Sequence, residues 1–290
     1  MSKTRRARTG ICKLTNTCGK FVDSHILPKS LTRAEGLAPG LFQLGNGRSE
    51  RRWSSWYDSA LVVEAGEQIL SGYDNWAVAM LRKHRMVWSG WGPMLALSDV
   101  TSIPGTPWGM RKIEFEDGEE LKRLRLFLLS ILWRAAATTR QEFAEVKLPM
   151  DDLEKLRTMV LEKKPEPLDF YPASLTQLST LGRRHNHAPI AFMKQIPALG
   201  GEPGYEEPVF RFFLDGLIIH FSRLSIEENA AKDLGPLRVG GANSVTISTV
   251  RYEDSAQAQN AVIVMAEAAL GRPLHEIPHG PFSPGRKLFD

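Results

Sequence analysis

The chain has 290 residues, of which 42% are hydrophobic, 24% charged and 9% aromatic. That length and composition can bury a sizeable core and exclude a disordered or fibrous chain. The formal net charge of +4 is a modest surplus that alone favours acidic partners only weakly.

Residues 1–9 read as a loose basic arm. "MSKTRRARTG" opens basic but no apolar run of signal-peptide length follows it. The longest apolar stretches, "LRLFLLSILW" (124–133) and "LDGLIIHFS" (214–222), are too short or too interrupted to span a bilayer. A cytoplasmic protein without membrane contact is the expectation. "GICKLTNTCGKFVDSHI" (10–26) places turn signals between short β-compatible pieces, which predicts a compact hairpin. Two cysteines, Cys12 and Cys18, make no disulfide framework. From Ala60 to about Arg85 the pattern turns helical, with Leu61, Ala65, Ile69 and Tyr73 recurring every four residues and a break expected at Gly72. Residues 89–115, rich in Gly, Pro and Trp, read as an ordered connection between an N-terminal region (10–88) and a C-terminal domain (116–290).

The strongest helix signal is "DGEELKRLRLFLLSILWRAAATT" (117–139). Leu121, Leu124, Leu128, Ile131, Leu132 and Ala135 form one stripe, and acids crowd the first turn, where the helix dipole favours them. A second helix is expected over 151–163. Residues 164–205 read as irregular, "EEPVFRFFLDGLIIHFS" (206–222) as paired strands turning at Asp215-Gly216, and 254–270 as a helix capped by Asp or Ser. The fold class expected is α+β, with a small N-terminal unit packed on a mainly helical body carrying a few antiparallel strands.

The basic residues cluster. The first 35 residues carry eight Lys or Arg against two acids, and "GRSERRW" (47–53) and "LRKHR" (81–85) add further patches. A basic patch is as often a solvated face as a phosphate contact. Here it surrounds "FVDSHILPKSL" (21–31), a short strand with a histidine that stops on a proline. Five Trp and two Tyr lie in residues 53–91; they serve either as core or as stacking platforms for single-stranded bases, and core is the favoured reading.

"GKFVDSHILPKSLTR", preceded by "CKLTNTCG" and followed by "WYDSALVVEAGEQILSGYDNWA", resembles the HNH endonuclease superfamily over about residues 10–85. The nearest likeness is to a bacterial and phage-associated branch with a Cys pair, a SHIIPK motif and a Cys-bearing helix start. The resemblance implies a ββα unit of the His-Me finger kind and divalent-metal-dependent hydrolysis of DNA phosphodiesters, in phage defence or a mobile element. Carried over residue by residue, His25 matches the general base. Ser24 stands where such enzymes have an Asp or His metal ligand, and Asp23 beside it is the substitute ligand. In a strand, however, Asp23 points to the same side as His25. Asp58 falls at the central Asn or Asp position, and Glu67 at the third motif position, as a ligand for Mg²⁺ or Mn²⁺. A helix cap and a first-turn acid are the plainer readings of Asp58 and Glu67. The second zinc pair would fall at Val63 and Gly66, neither of which binds metal, so bound structural zinc is not expected. Phosphate contacts are expected from Arg5, Arg6, Arg8, Lys20, Lys29, Arg51 and Arg52. The alternative is a catalytically degenerate protein of this fold that binds nucleic acid, DNA before RNA, or a protein partner or second copy through the C-terminal domain. His185 and His187 read as a basic surface loop, His220 as a core histidine.

Overall fold

The computed structural model describes residues 8–32, 40–43, 50–52, 55–196, 203–241 and 243–271, with backbone alone for 40–43 and 50–52. The chain opens with β1 (Thr9–Ile11) and β2 (Cys18–Lys20), an antiparallel hairpin with Ile11 opposite Cys18. Then come β3 (Ser24–His25), the single turn α1 (Lys29–Thr32), β4 (Gly40–Gln43), β5 (Glu50–Arg52), β6 (Tyr57–Asp58) and the long helix α2 (Glu64–Lys83). β7 (Thr101–Ser102) and β8 (Trp108–Glu114) lead to α3 (Gly118–Ala137) and α4 (Met150–Glu162). The remainder is β9 (Ala173–Leu178), β10 (Asn186–Ile196), β11 (Tyr205–Leu214), β12 (Leu217–Ser222), α5 (Ile226–Lys232), β13 (Ser244–Val250) and α6 (Ala256–Leu270). No helix among the described residues is long and apolar enough to cross a membrane.

This is a mixed α+β fold. Its body, however, is centred on a nine-stranded sheet in the order β5-β4-β10-β11-β12-β9-β13-β8-β7, where the sequence suggested helices with a few strands. The underestimate has two sources. Residues 164–205, expected to be irregular, supply β9 and all of β10. Pro189 lies inside β10, where the register with β11 shifts between His187 and Ile190, and a proline within a strand run argues against a strand. Likewise β8, placed by the sequence in a connection, pairs along its whole length with β13.

Other expectations hold closely. Asp117 caps α3, accepting from the backbone N–H groups of Glu119 and Glu120, both at 3.0 Å. The β11–β12 turn falls at Asp215 (φ 49°) and Gly216 (φ 89°), a pair of left-handed residues that suits a two-residue hairpin. A Cβ at Gly216 would sit 2.6 Å from the Trp88 ring. Glycine there lets the hairpin tip lie flat on Trp88, within a small cluster of Trp88, Trp91, Leu178, Phe213, Ile218 and Val250. α2 runs unbroken through Gly72, which is exposed. Its buried face is Gly66, Leu70, Tyr73, Ala77 and Leu81, not the strict four-residue series. A strict i, i+4 series drifts around a helix by about 40° per step, whereas alternating three and four stays on one face.

The main cluster joins α2, α3 and α4 to the sheet through residues such as Leu124, Leu128, Phe127, Phe212, Phe221 and Ile247, all fully buried. Behind α6 the sheet buries a different chemistry. His185 and His187 are buried, not on a surface loop, and so is His220. Arg211 lies opposite His220 in the β11–β12 ladder. Gln257 of α6 contacts both His185 Nε2 and the Arg211 guanidinium. Burial drives the histidines below their ordinary range, to about 4 for His185 and about 3 for His187, and His220 well below it. Arg211 opposes their protonation further.

These histidines fold neutral but take up protons in the unfolded chain once the pH falls below their usual value. Stability is therefore full above about pH 6.5 and declines as the pH drops towards 4, by up to about 1.4 kcal/mol per pH unit for each histidine. Urea unfolding at pH 7, 6 and 5 measures the decline, and His187→Gln flattens it. A midpoint that does not move between pH 7 and 5 would contradict this account.

Candidate functional site

The histidine motif forms local structure of minimal length. β3 and β6 pair antiparallel with Ser24 opposite Asp58 and His25 opposite Tyr57. Ile26 N–H donates to Trp56 O at 3.0 Å. Two-residue strands are marginal alone, so this pair depends on what it rests against. Trp56 is buried, edge-on to Phe143 at 5.7 Å between ring centroids. Pro28 ends β3 and opens the single turn of α1.

Alternation along β3 sorts its side chains. Asp23 is exposed, Ser24 fully buried and His25 half-buried. Ser24 faces Glu67 in the first turn of α2, close enough to favour the ionised carboxyl. Even so, neither Ser24 Oγ nor Glu67 Oε2, both buried, has a hydrogen bond of good geometry. Burial raises the Glu67 pKa above the ordinary carboxyl value, and Ser24 and Arg134 only partly offset it. His25 is shifted down, first by burial and then by Lys29, against the opposing pull of Asp74 and Asp23. Its imidazole is neutral near pH 7.

Arg134 of α3, 1% exposed, closes the site from beneath. Its guanidinium donates to both carboxylate oxygens of Asp74, at 2.9 and 2.7 Å, and to the His25 carbonyl at 2.9 Å. Asp58 is engaged on both oxygens as well. Oδ1 accepts from Ala60 N–H at 2.8 Å and Oδ2 from Thr138 Oγ1 at 2.6 Å, tying β6 to the end of α3.

Beside this pair sits the cysteine hairpin. Cys12 is buried and Cys18 exposed, both as free thiols. Burial pushes the Cys12 thiol up, but the Thr15 hydroxyl and the backbone N–H groups of Thr15, Val63 and Leu14 outweigh it and lower the pKa. Phe21 bridges to Val63, and a Cβ on Gly19 would meet Val63 Cγ1 at 3.2 Å. A Cβ on Gly66 would lie 2.8 Å from Cys12 Sγ. Positions 63 and 66 thus face the cysteine hairpin, and the space there is filled by packing.

Among the described residues, the donors around His25 do not make up the ligand set of a divalent cation. Asp58 and Asp74 are committed to internal partners and Asp23 is exposed. Among the described residues that leaves Glu67, a serine hydroxyl and the exposed Asp23, short of the oxygen set that Mg²⁺ or Mn²⁺ takes. Among the described residues no group of three His, Cys, Asp or Glu is placed to hold a metal ion. Of the basic residues, Arg8, Lys20 and Lys29 are exposed. Arg5 and Arg6 lie outside the described residues, as do the side chains of Arg51 and Arg52. Sequence reasoning missed Arg134 and Asp74, for which an arginine inside an apolar stripe and an acid two turns after Glu67 on α2 were the available signals. Comparison with protein-family models, curated proteins and solved structures finds no match to this chain.

Two substitutions test the packing. Gly66→Ala would gain about 1 kcal/mol of helix propensity at an open site, but against Cys12 Sγ and Val62 the added methyl overpacks, costing about 1–3 kcal/mol. Urea unfolding is expected to show a net loss; a net gain would mean the hairpin packs loosely. Arg134→Ala leaves Asp74 without its partner and is expected to cost about 3–5 kcal/mol in the same assay. A loss under about 1 kcal/mol would place the pair among weak surface bridges.

Proposed function

We propose that this chain is a catalytically degenerate HNH-like protein that binds nucleic acid, DNA in preference to RNA, across the basic face around β2 and α1. In this reading β3, β6 and α2 are a reduced ββα unit, and the β1–β2 hairpin is a zinc knuckle whose second cysteine pair has given way to Val63 and Gly66. One observation carries the proposal. Ser24 occupies the strand position that faces the α2 acid Glu67, where a metal-dependent nuclease needs a carboxylate or imidazole. The neighbouring carboxylates are engaged elsewhere, Asp58 with Ala60 and Thr138 and Asp74 with Arg134. Asp58 acts in the way a central motif residue would, by pinning the loop after β6.

A nuclease reading draws its support from His25, whose neutral, half-buried imidazole is suited to accept a proton. The two readings separate in one set of assays. Fluorescence anisotropy with short duplex DNA is expected to show binding that weakens steeply with salt, because each phosphate contact releases counterions. Lys20→Glu and Lys29→Glu should each weaken binding and reduce the salt slope by about 1. Incubation of the same DNA with Mg²⁺ or Mn²⁺ is expected to leave it intact. Metal-dependent cleavage that disappears in His25→Ala would replace the proposal with the nuclease. Absence of binding even at low salt would favour a protein partner instead.

A further inference from the structure

Between α4, the start of β11's buried face and the β12–α5 junction lies a cavity of about 540 Å³, a size typical of small-molecule sites. Its wall is aromatic. Tyr171 stacks on Phe210 at 6.5 Å between centroids and 25° between planes, and Phe170 meets Tyr171 edge-on at 5.0 Å. Its mouth is cationic. Lys155 Nζ sits 4.2 Å over the Phe170 ring, the Arg223 guanidinium carbon 4.9 Å over Phe210, and Lys147 stands at the rim. Among the described residues none of these three cations has a carboxylate partner. Two acids share the lining: Asp152 accepts the Tyr171 hydroxyl at 2.8 Å, and Glu227 is exposed in the first turn of α5.

The wall is held in an unusual backbone state. Tyr171 has φ 46°, a left-handed conformation that a bulky residue adopts only where its surroundings enforce it. It orients the ring between Phe170 and Phe210, with its hydroxyl fixed by Asp152. The result is a half-buried Tyr171 ring, backed by the buried Phe170 and Phe210, beside three cations that form no salt bridge among the described residues. A purely apolar ligand would leave those cations unanswered, and a simple anion would leave the rings unused. A ligand with a flat ring and an attached phosphate satisfies both. Rings stack on aromatic faces and on guanidinium planes, while phosphate takes Lys and Arg as donors.

We propose that this cavity is a nucleotide site, with the base against the half-buried Tyr171 ring and the Arg223 guanidinium, and the phosphate held by Lys147, Lys155 and Arg223. It shares no residue with the His25 site and does not rest on the reading of that site. The nucleotide is either free or the end of a single strand; the chemistry recognised is the same.

Isothermal titration of the full chain with AMP, adenosine and inorganic phosphate tests the proposal. AMP is expected to bind at least about tenfold tighter than either fragment. Arg223→Ala and Lys147→Ala, both at exposed positions, should each weaken AMP by about tenfold, whereas the exposed Lys112→Ala on β8 should not change it. A short 5′-phosphorylated deoxyadenosine strand, titrated with and without AMP, then identifies the source. Displacement of the strand by AMP assigns a strand end, and AMP binding without strand binding assigns a free nucleotide; either outcome supports the site. No AMP binding at millimolar concentration would overturn it, as would phosphate binding as tightly as AMP, or AMP affinity unaffected by Arg223→Ala.

Discussion

The Arg134 guanidinium holds the N-terminal half of this protein together. It sits inside α3, almost wholly buried, and bonds at once to Asp74 of α2 and to the backbone carbonyl of His25. Three elements that meet nowhere else in sequence are thereby fixed by one planar fork. Arginine suits this role because its donors are arranged in a rigid fork that matches a carboxylate bidentately and still reaches a carbonyl. A buried pair of this kind contributes little net stability relative to an apolar replacement, but removing one partner is expensive. Its effect is therefore one of registry: it sets where the short β3–β6 pair lies on α2, and so which β3 side chain faces Glu67.

A second guanidinium on the same helix repeats the logic further along. Arg125 is fully buried and donates to the carbonyls of Pro165, Pro167 and Phe170. Backbone carbonyls in a buried loop need donors, and here one side chain supplies several. That loop leads directly into Tyr171 and the cavity behind α4. The same apolar helix thus anchors both the histidine motif, through Arg134, and the loop leading to Tyr171, through Arg125.

The N-terminal region also shows how a small unit keeps its shape by contact alone. The hairpin carrying Cys12 and Cys18 is pressed against the start of α2, with Gly66 and Val63 forming the contact. Close approach of a glycine and a thiol leaves no room for a side chain between them, and the Cys12 sulfur accepts the Thr15 N–H at 3.4 Å. Arg157 of α4 adds a bond to the Leu14 carbonyl at 2.7 Å, and Lys13 one to the Ala137 carbonyl at 2.6 Å. The hairpin is anchored from several helices, which is what an otherwise three-residue ladder requires.

Local sequence determined the elements whose signal is complete within their own span. α3 is legible from periodicity, its start from the acids gathered there, and the β11–β12 hairpin from Asp215-Gly216, because helix starts and turns depend on a few adjacent residues. The histidine motif and its strand character were legible for the same reason. Tertiary structure decided the rest. The nine-stranded sheet gathers β8, β9, β10 and β13 from distant segments, and β10 pairs despite Pro189, since ladder bonds are made with strands that no local window contains. His185 and His187 look like a polar surface run in sequence, yet α6 covers them and Gln257 meets His185. Most decisively, the sequence placed Ser24, Asp58 and Glu67 near one another but not their partners. Whether a carboxylate is free to bind a ligand depends on what else reaches it, and it was Arg134 and Thr138, from α3 and its C-terminal cap 60 and 80 residues away in the chain, that committed Asp74 and Asp58.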